Sequence, residues 1–170
     1  MKSKRTKRIV ILGLLASLAL ALSYLEALLP PITSAFPGIK MGLPNLVIIF
    51  ALYTFGTKEA ALISTVRLLA VFLLFGNAIM LLYSATGACL SVILMAVLKR
   101  VDAFSCVGVS VSGAVSHNLG QILVAMLMLE TPQIAFYLPI LMISGVAAGA
   151  IIGVIGSLIT ARLKNKISML

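Results

Sequence analysis

Long apolar runs, parted by short breaks that collect the charges and prolines, dominate this sequence. A helix rises about 1.5 Å per residue and must cross roughly 30 Å of hydrocarbon, so each crossing consumes about 20 apolar residues. The runs near Ile9–Leu29, Leu43–Phe55, Glu59–Phe75, Ala78–Leu98, Ala103–Leu129 and Ile134–Leu163 predict an all-α integral membrane protein, a single bundle of about six transmembrane helices. The second run is too short to cross upright. It either borrows part of the loop before it or sits against its neighbours at a local thinning of the bilayer.

The breaks set the topology. Of 170 residues 62% are hydrophobic, the mean hydropathy is +1.21 and only four residues are acidic, a balance that places the chain in a bilayer. In a soluble protein a net charge of +9 would point to nucleic acid, but here the cations sit between apolar runs and act as topology signals. The stretch Lys2–Arg8 is basic, and the run after it is too long for a signal-peptide core, so it is read as a retained first span. Starting inside, alternation puts Lys58, Lys99, Arg100, Arg162, Lys164 and Lys166 on the same side as the N-terminus and leaves Lys40 outside. The expected layout is a cytoplasmic N-terminus (1–8), a membrane domain (9–163) and a cytoplasmic tail (164–170) in a multi-pass protein of the cell membrane. The Pro30–Pro44 break, rich in proline and glycine, cannot continue a helix and is expected to form an ordered external loop over an outward-opening cavity.

Against that background the polar residues inside spans stand out. Arg67 falls near mid-membrane, where an Arg facing lipid costs from about 2.5 to beyond about 10 kcal/mol, so it must face inward. Glu26 and Glu130 lie near outer span ends and Glu59 and Asp102 near the inner face, so no anion is evident at its depth. Two readings stand: Arg67 meets an anionic group of a ligand, or it is structural and bonds to helix carbonyls. In the fifth span Gly113, His117 and Gln121 follow at steps of four and share a face, with Asn118 beside them. They either line a cavity or make interhelical hydrogen bonds, worth on average about 0.6 kcal/mol in a measured membrane protein. Asn45 and Tyr53 in the second span, and Asn77, Ser84, Ala88 and Ser91 in the fourth, extend the same polar lining.

Two ridges of small residues let helices approach closely. Gly145, Gly149, Gly153, Ser157 and Ala161 descend the last span and are expected to pack within the bundle. Gly13, Ser17 and Ala21 in the first span suit either internal packing or docking onto a partner membrane subunit.

Several chemistries find no support in the sequence. Cys89 and Cys106 lack CxxC spacing, and His117 is the single histidine with no acidic or thiol neighbour, so neither a disulfide nor a metal site is expected. No cofactor is expected either. A GxxxxGK[ST] phosphate loop is missing, and no two acidic residues lie close enough in sequence to hold magnesium.

The stretch Pro37-Gly-Ile-Lys-Met-Gly-Leu-Pro-Asn45, Arg67, and Ser112-Gly-Ala-Val-Ser-His-Asn-Leu-Gly-Gln121 together resemble the Gx transporter family, also labelled heptaprenyl diphosphate synthase component I. The likeness runs over nearly the whole chain. That family is similar to the substrate-binding S components of energy-coupling factor transporters, six-helix membrane proteins that capture a vitamin or metal outside and rely on a shared coupling subunit and two ATPases. The resemblance implies an importer subunit, and the polar residues inside the spans, Asn45, Arg67, His117, Asn118 and Gln121, are expected to hold a ligand with an anionic or polar head. It further implies docking on a coupling subunit through Gly13, Ser17 and Ala21. The synthase label implies the alternative, a noncatalytic membrane partner in isoprenoid or quinone metabolism. Prenyl diphosphate synthases hold magnesium on aspartate-rich motifs, and with Asp102 as its single Asp this chain is not expected to be a catalytic subunit.

Overall fold

A computed structural model describes residues 2–28 and 42–168, with side chains for 5–28 and 42–163. Most of the proposed loop, including Lys40, lies outside the described residues. The described chain is helical: α1 (Lys2–Leu28), α2 (Leu43–Thr54), α3 (Thr57–Phe75), α4 (Ala78–Leu98), α5 (Cys106–Leu129), a 3₁₀ segment (Pro132–Tyr137) and α6 (Leu138–Ser168). Each expected span is present as a helix. The first and last run further than hydropathy marks them, because the flanking lysines and arginines are themselves good helix formers.

Four of these helices are long and apolar enough to cross a membrane: α1, α4, α5 and the 3₁₀–α6 unit. This is an all-α membrane bundle. α3 carries Lys58, Glu59 and Arg67 in its nineteen residues, and α2 has only twelve. Their place is set by packing. The helices close into a ring in the order α1, α2, α6, α5, α4, α3 and back to α1, with α2 also touching α3.

Contacts fix the direction of each helix. Arg8 at the start of α1 pairs with Glu59 at the start of α3, and Lys99 after α4 donates to the Leu52 carbonyl near the end of α2. The end of the bundle that gathers these residues is called the basic end here, and the opposite end, carrying Phe75, Ala78 and Leu129, the distal end. The apolar core lies toward the basic end, where Ile49, Leu52, Ile63 and Val109 are almost wholly enclosed. Leucines such as Leu14, Leu73 and Leu127 point outward, as lipid-facing residues do.

The short α2 is explained by where it starts. A methyl group added at Gly42 would lie 3.4 Å from Ile152 Cδ1, near the midpoint of α6 and roughly 21 Å along it from Leu138. The helix therefore fills only the basic-end half of the bundle. Gly42, with φ 71°, adopts the left-handed conformation that a glycine tolerates, and Pro44 follows in the first turn, where a missing N–H costs nothing. Pro44 is buried, so the last residues of the proposed external loop lie inside the bundle.

Candidate functional site

The beginning of α2 deep in the bundle creates an electrostatic problem that α1 answers. A helix N-terminus carries unsatisfied N–H groups and a partial positive charge. The Gly42 N–H donates to the Glu26 carboxylate, on the last turn of α1. No side chain of α2 itself makes that bond. Asn45 belongs to the same turn: its N–H donates to the Gly42 carbonyl at 2.8 Å, and its side chain folds back beside Gly42.

Arg67 extends from α3 toward the same part of α1. Its Nη1 donates to the Ser23 hydroxyl at 3.3 Å, and that hydroxyl donates in turn to the Ala19 carbonyl at 2.8 Å. Ser23 and Glu26 are three residues apart and share a face of α1. Glu26 therefore stands on the side of α1 that Arg67 approaches, without an ion pair between them among the described residues. The Nε of Arg67 is buried and has no hydrogen-bond partner among the described residues. Among the described residues Arg67 is thus bound to no helix carbonyl: it has a hydroxyl partner, a carboxylate on the same face of α1 and a buried Nε without an acceptor. The expectation that no acidic residue lies at its depth is amended to this extent: Glu26 stands one turn beyond the hydroxyl partner of Arg67 on the same face of α1, while no ion pair joins the two among the described residues.

The polar residues of α5 divide between two neighbours. His117 packs on α4, where a methyl group at Gly87 would sit 3.0 Å from its Nδ1 and Cε1. Asn118, about 100° around the helix, faces α6 and donates to the Leu141 carbonyl at 2.7 Å. Gln121 is half-buried one turn beyond His117. The ring order sets α4 between α3 and α5, so the five sequence-derived residues fall into two groups: Asn45 and Arg67 with α1 and α2, and His117, Asn118 and Gln121 with α4 and α6. Tyr53 and Asn77 leave the proposed lining. Tyr53 lies at the basic end under Lys99, whose Nζ is 5.2 Å from its ring centroid, and Asn77 caps α4 by accepting from the Met80 N–H at 2.7 Å.

The sequence model of heptaprenyl diphosphate synthase component I matches residues 15–159, from within α1 to the basic-end half of α6. The chain belongs to that family. No curated protein and no solved structure matches it. In this member of the heptaprenyl diphosphate synthase component I family the matched region contains every residue of the Ser23–Glu26–Gly42–Asn45–Arg67 cluster and the whole polar stretch of α5.

Sequence reasoning overlooked Ser23 and Gly42 and set Glu26 aside. One signal pointed to Glu26, an acid three residues after a Ser inside an otherwise apolar span.

The small-residue ridges separate in this family member. Methyl groups at Gly145, Gly149 and Gly153 would press on Asn118, Val111 and Val107 of α5 at 2.9, 2.7 and 2.7 Å, so that ridge packs within the bundle as expected. Around Gly13 nothing lies within 4 Å of such a methyl, and Gly13, Ser17 and Ala21 are all exposed. Among the described residues nothing packs on that ridge.

Proposed function

We propose that the chain is the membrane substrate-binding subunit of an energy-coupling-factor-like importer, taking up a small molecule with an anionic or polar head group. The observation that carries this reading is the buried, unpartnered Nε of Arg67. An Arg buried in a membrane bundle is costly, and one that keeps a donor unused is suited to a ligand acceptor. Asn45 lies with Arg67 toward α1 and α2, while His117, Asn118 and Gln121 supply polar groups from the α5 side of the ring. A ligand held between these two groups would join helices that do not otherwise meet through polar contacts.

In this reading both termini are cytoplasmic, the distal end opens outward, and energy comes from a coupling subunit and two ATPases. The exposed Gly13–Ser17–Ala21 ridge on α1 supports a docking role, since none of the described residues covers it. Such a chain performs no catalysis.

Native mass spectrometry of the detergent-purified protein, wild type beside Arg67→Ala, tests the proposal. A small molecule carried through purification by the wild type and lost from a folded Arg67→Ala variant is the expected result. A ligand retained equally by both, or absent from both, counts against it.

The family description favours a second reading, a noncatalytic membrane partner in prenyl diphosphate metabolism. That role predicts copurification with a soluble synthase that is indifferent to Arg67→Ala.

A further inference from the structure

The charges around Arg67 constrain what its ligand can be. All described cations other than Arg67 belong to the basic end: the N-terminal turns of α1, Lys58, Lys99, Arg100, and the final turns of α6. Away from that end the described charges are Arg67, Glu26 and Glu130, the last on the exposed tip of α5. Among the described residues away from the basic end and the tip of α5, therefore, one guanidinium is set against one carboxylate.

The two do not neutralise each other by direct bonding. Arg67 spends Nη1 on Ser23, while Glu26 accepts from the Gly42 N–H and is held there by the N-terminus of α2. An ionised carboxylate offers about four acceptor positions, and among the described residues only the Gly42 N–H takes one. Arg67 Nε is a donor without an acceptor. The α1–α3 seam thus carries, on the face of α1 shared by Ser23 and Glu26, a donor on a cation and acceptors on an anion that the described residues leave open.

We propose that Glu26 is part of the ligand site and that the site takes a zwitterionic, amino-acid-like head group, its carboxylate on Arg67 Nε and its ammonium on Glu26. This inference rests on the ligand-binding reading above and adds the class of ligand. A monoanion placed on Arg67 would lie beside Glu26 and leave a net negative charge in a low-dielectric interior, which is costly. A phosphate monoester carries about −1.5 to −2 at neutral pH, and a diphosphate more, against a single guanidinium already offset by a carboxylate. A zwitterion brings no net charge and gives each protein group an opposite pole. Ser23 then serves as a positioning residue, fixing the guanidinium so that Nε is presented rather than Nη1.

The test uses the full chain in lipid nanodiscs and three probe sets: the standard amino acids, straight-chain monocarboxylic acids from acetate to octanoate, and inorganic phosphate with diphosphate. Binding is read as thermal stabilisation and as an adduct by native mass spectrometry. At least one amino acid is expected to bind, and Glu26→Gln and Arg67→Gln should each weaken it by roughly tenfold or more. The other two sets should produce no adduct. Monocarboxylate or phosphate binding that survives Glu26→Gln overturns the charge-pair inference and leaves the ligand-binding reading standing. If no probe binds, the inference is overturned, and the wild-type against Arg67→Ala comparison decides separately whether ligand binding falls with it. Should a single variant fail to fold, the Glu26→Gln/Arg67→Gln double variant removes both charges at once. Folded and unable to bind the amino acid, it supports the inference; binding as the wild type does, it ends it.

Discussion

The two sides of the ring are joined by different chemistry. On one side α5 meets α4 and α6 through glycine: Gly87, Gly113 and Gly120 at the first contact and Gly145, Gly149 and Gly153 at the second. On the other, α1 meets α3 and α2 through reaching side chains, with Arg67 on Ser23, Arg8 on Glu59 and Glu26 on the Gly42 amide. Glycine contacts bring backbones together and have one geometry, because any added atom collides. Polar contacts between long side chains can be exchanged for contacts of similar strength with a ligand. The difference assigns a fixed wall to α4–α5–α6 and an adjustable seam to α1–α2–α3, with α2 joined to both.

The sharpest way to break this contrast is to thicken the glycine contact. A methyl group at Gly120 would lie 2.8 Å from the Gly87 Cα, a backbone atom that cannot rotate aside. Gly120→Leu should therefore separate α4 from α5 and cost about 3 kcal/mol or more, read as a large drop in thermal unfolding temperature or loss of monodisperse protein in detergent. A normal unfolding temperature would mean that the α4–α5 wall yields.

The seam should respond more mildly. Ser23→Ala removes the acceptor of Arg67 Nη1 and an intrahelical bond to Ala19, while leaving Glu26 in place. A hydrogen bond to a charged group is worth about 1.5–3 kcal/mol in water-soluble proteins, and interhelical bonds in membranes are worth less, so a loss of about 1 to 2 kcal/mol is expected. The same unfolding measurement reads it. A loss as large as that of Gly120→Leu would show the seam to be as rigid as the wall.

These two regions also differ in how far the sequence discloses them. The α5–α6 contact is written locally, as small residues every four positions along one helix, and the structure places that ridge against α5. Apolar runs likewise locate each helix, although α1 begins seven residues before its run, α6 ends five residues after its own, and 3₁₀ turns at Pro132–Tyr137 precede α6. The seam is written nonlocally. Arg67 and Ser23 are 44 positions apart, and nothing in the period of either helix says that they meet. The fifth-span stretch shows the same limit. Adjacent residues on a helix point about 100° apart, so the polarity of His117 and Asn118 was legible, while their division between α4 and α6 depended on which helices stand beside α5. The length of α2 was legible too, but its start beside the midpoint of α6 follows from packing rather than from composition.

The smallest effect on the chain itself is expected at Gly13, and that is what makes it informative. Around Gly13, apart from its chain neighbours and the adjacent backbone of α1, no described heavy atom lies within 4 Å of an added methyl, in contrast to Gly120, so the described residues give no steric reason for a glycine there. A glycine inside a helix is less favourable than alanine by about 1 kcal/mol. Gly13→Ala should therefore leave the isolated protein unchanged or stabilise it by up to about 1 kcal/mol, and Gly13→Leu should be tolerated as well. If the exposed ridge serves as a docking face, the leucine, unlike the alanine, is too large for close helix approach. Copurification of a coupling subunit from native membranes should then fall with Gly13→Leu while the unfolding temperature of the isolated chain holds. A fall in unfolding temperature would instead place an unseen packing partner within the chain, and unchanged copurification of a coupling subunit would remove this ridge from the interface.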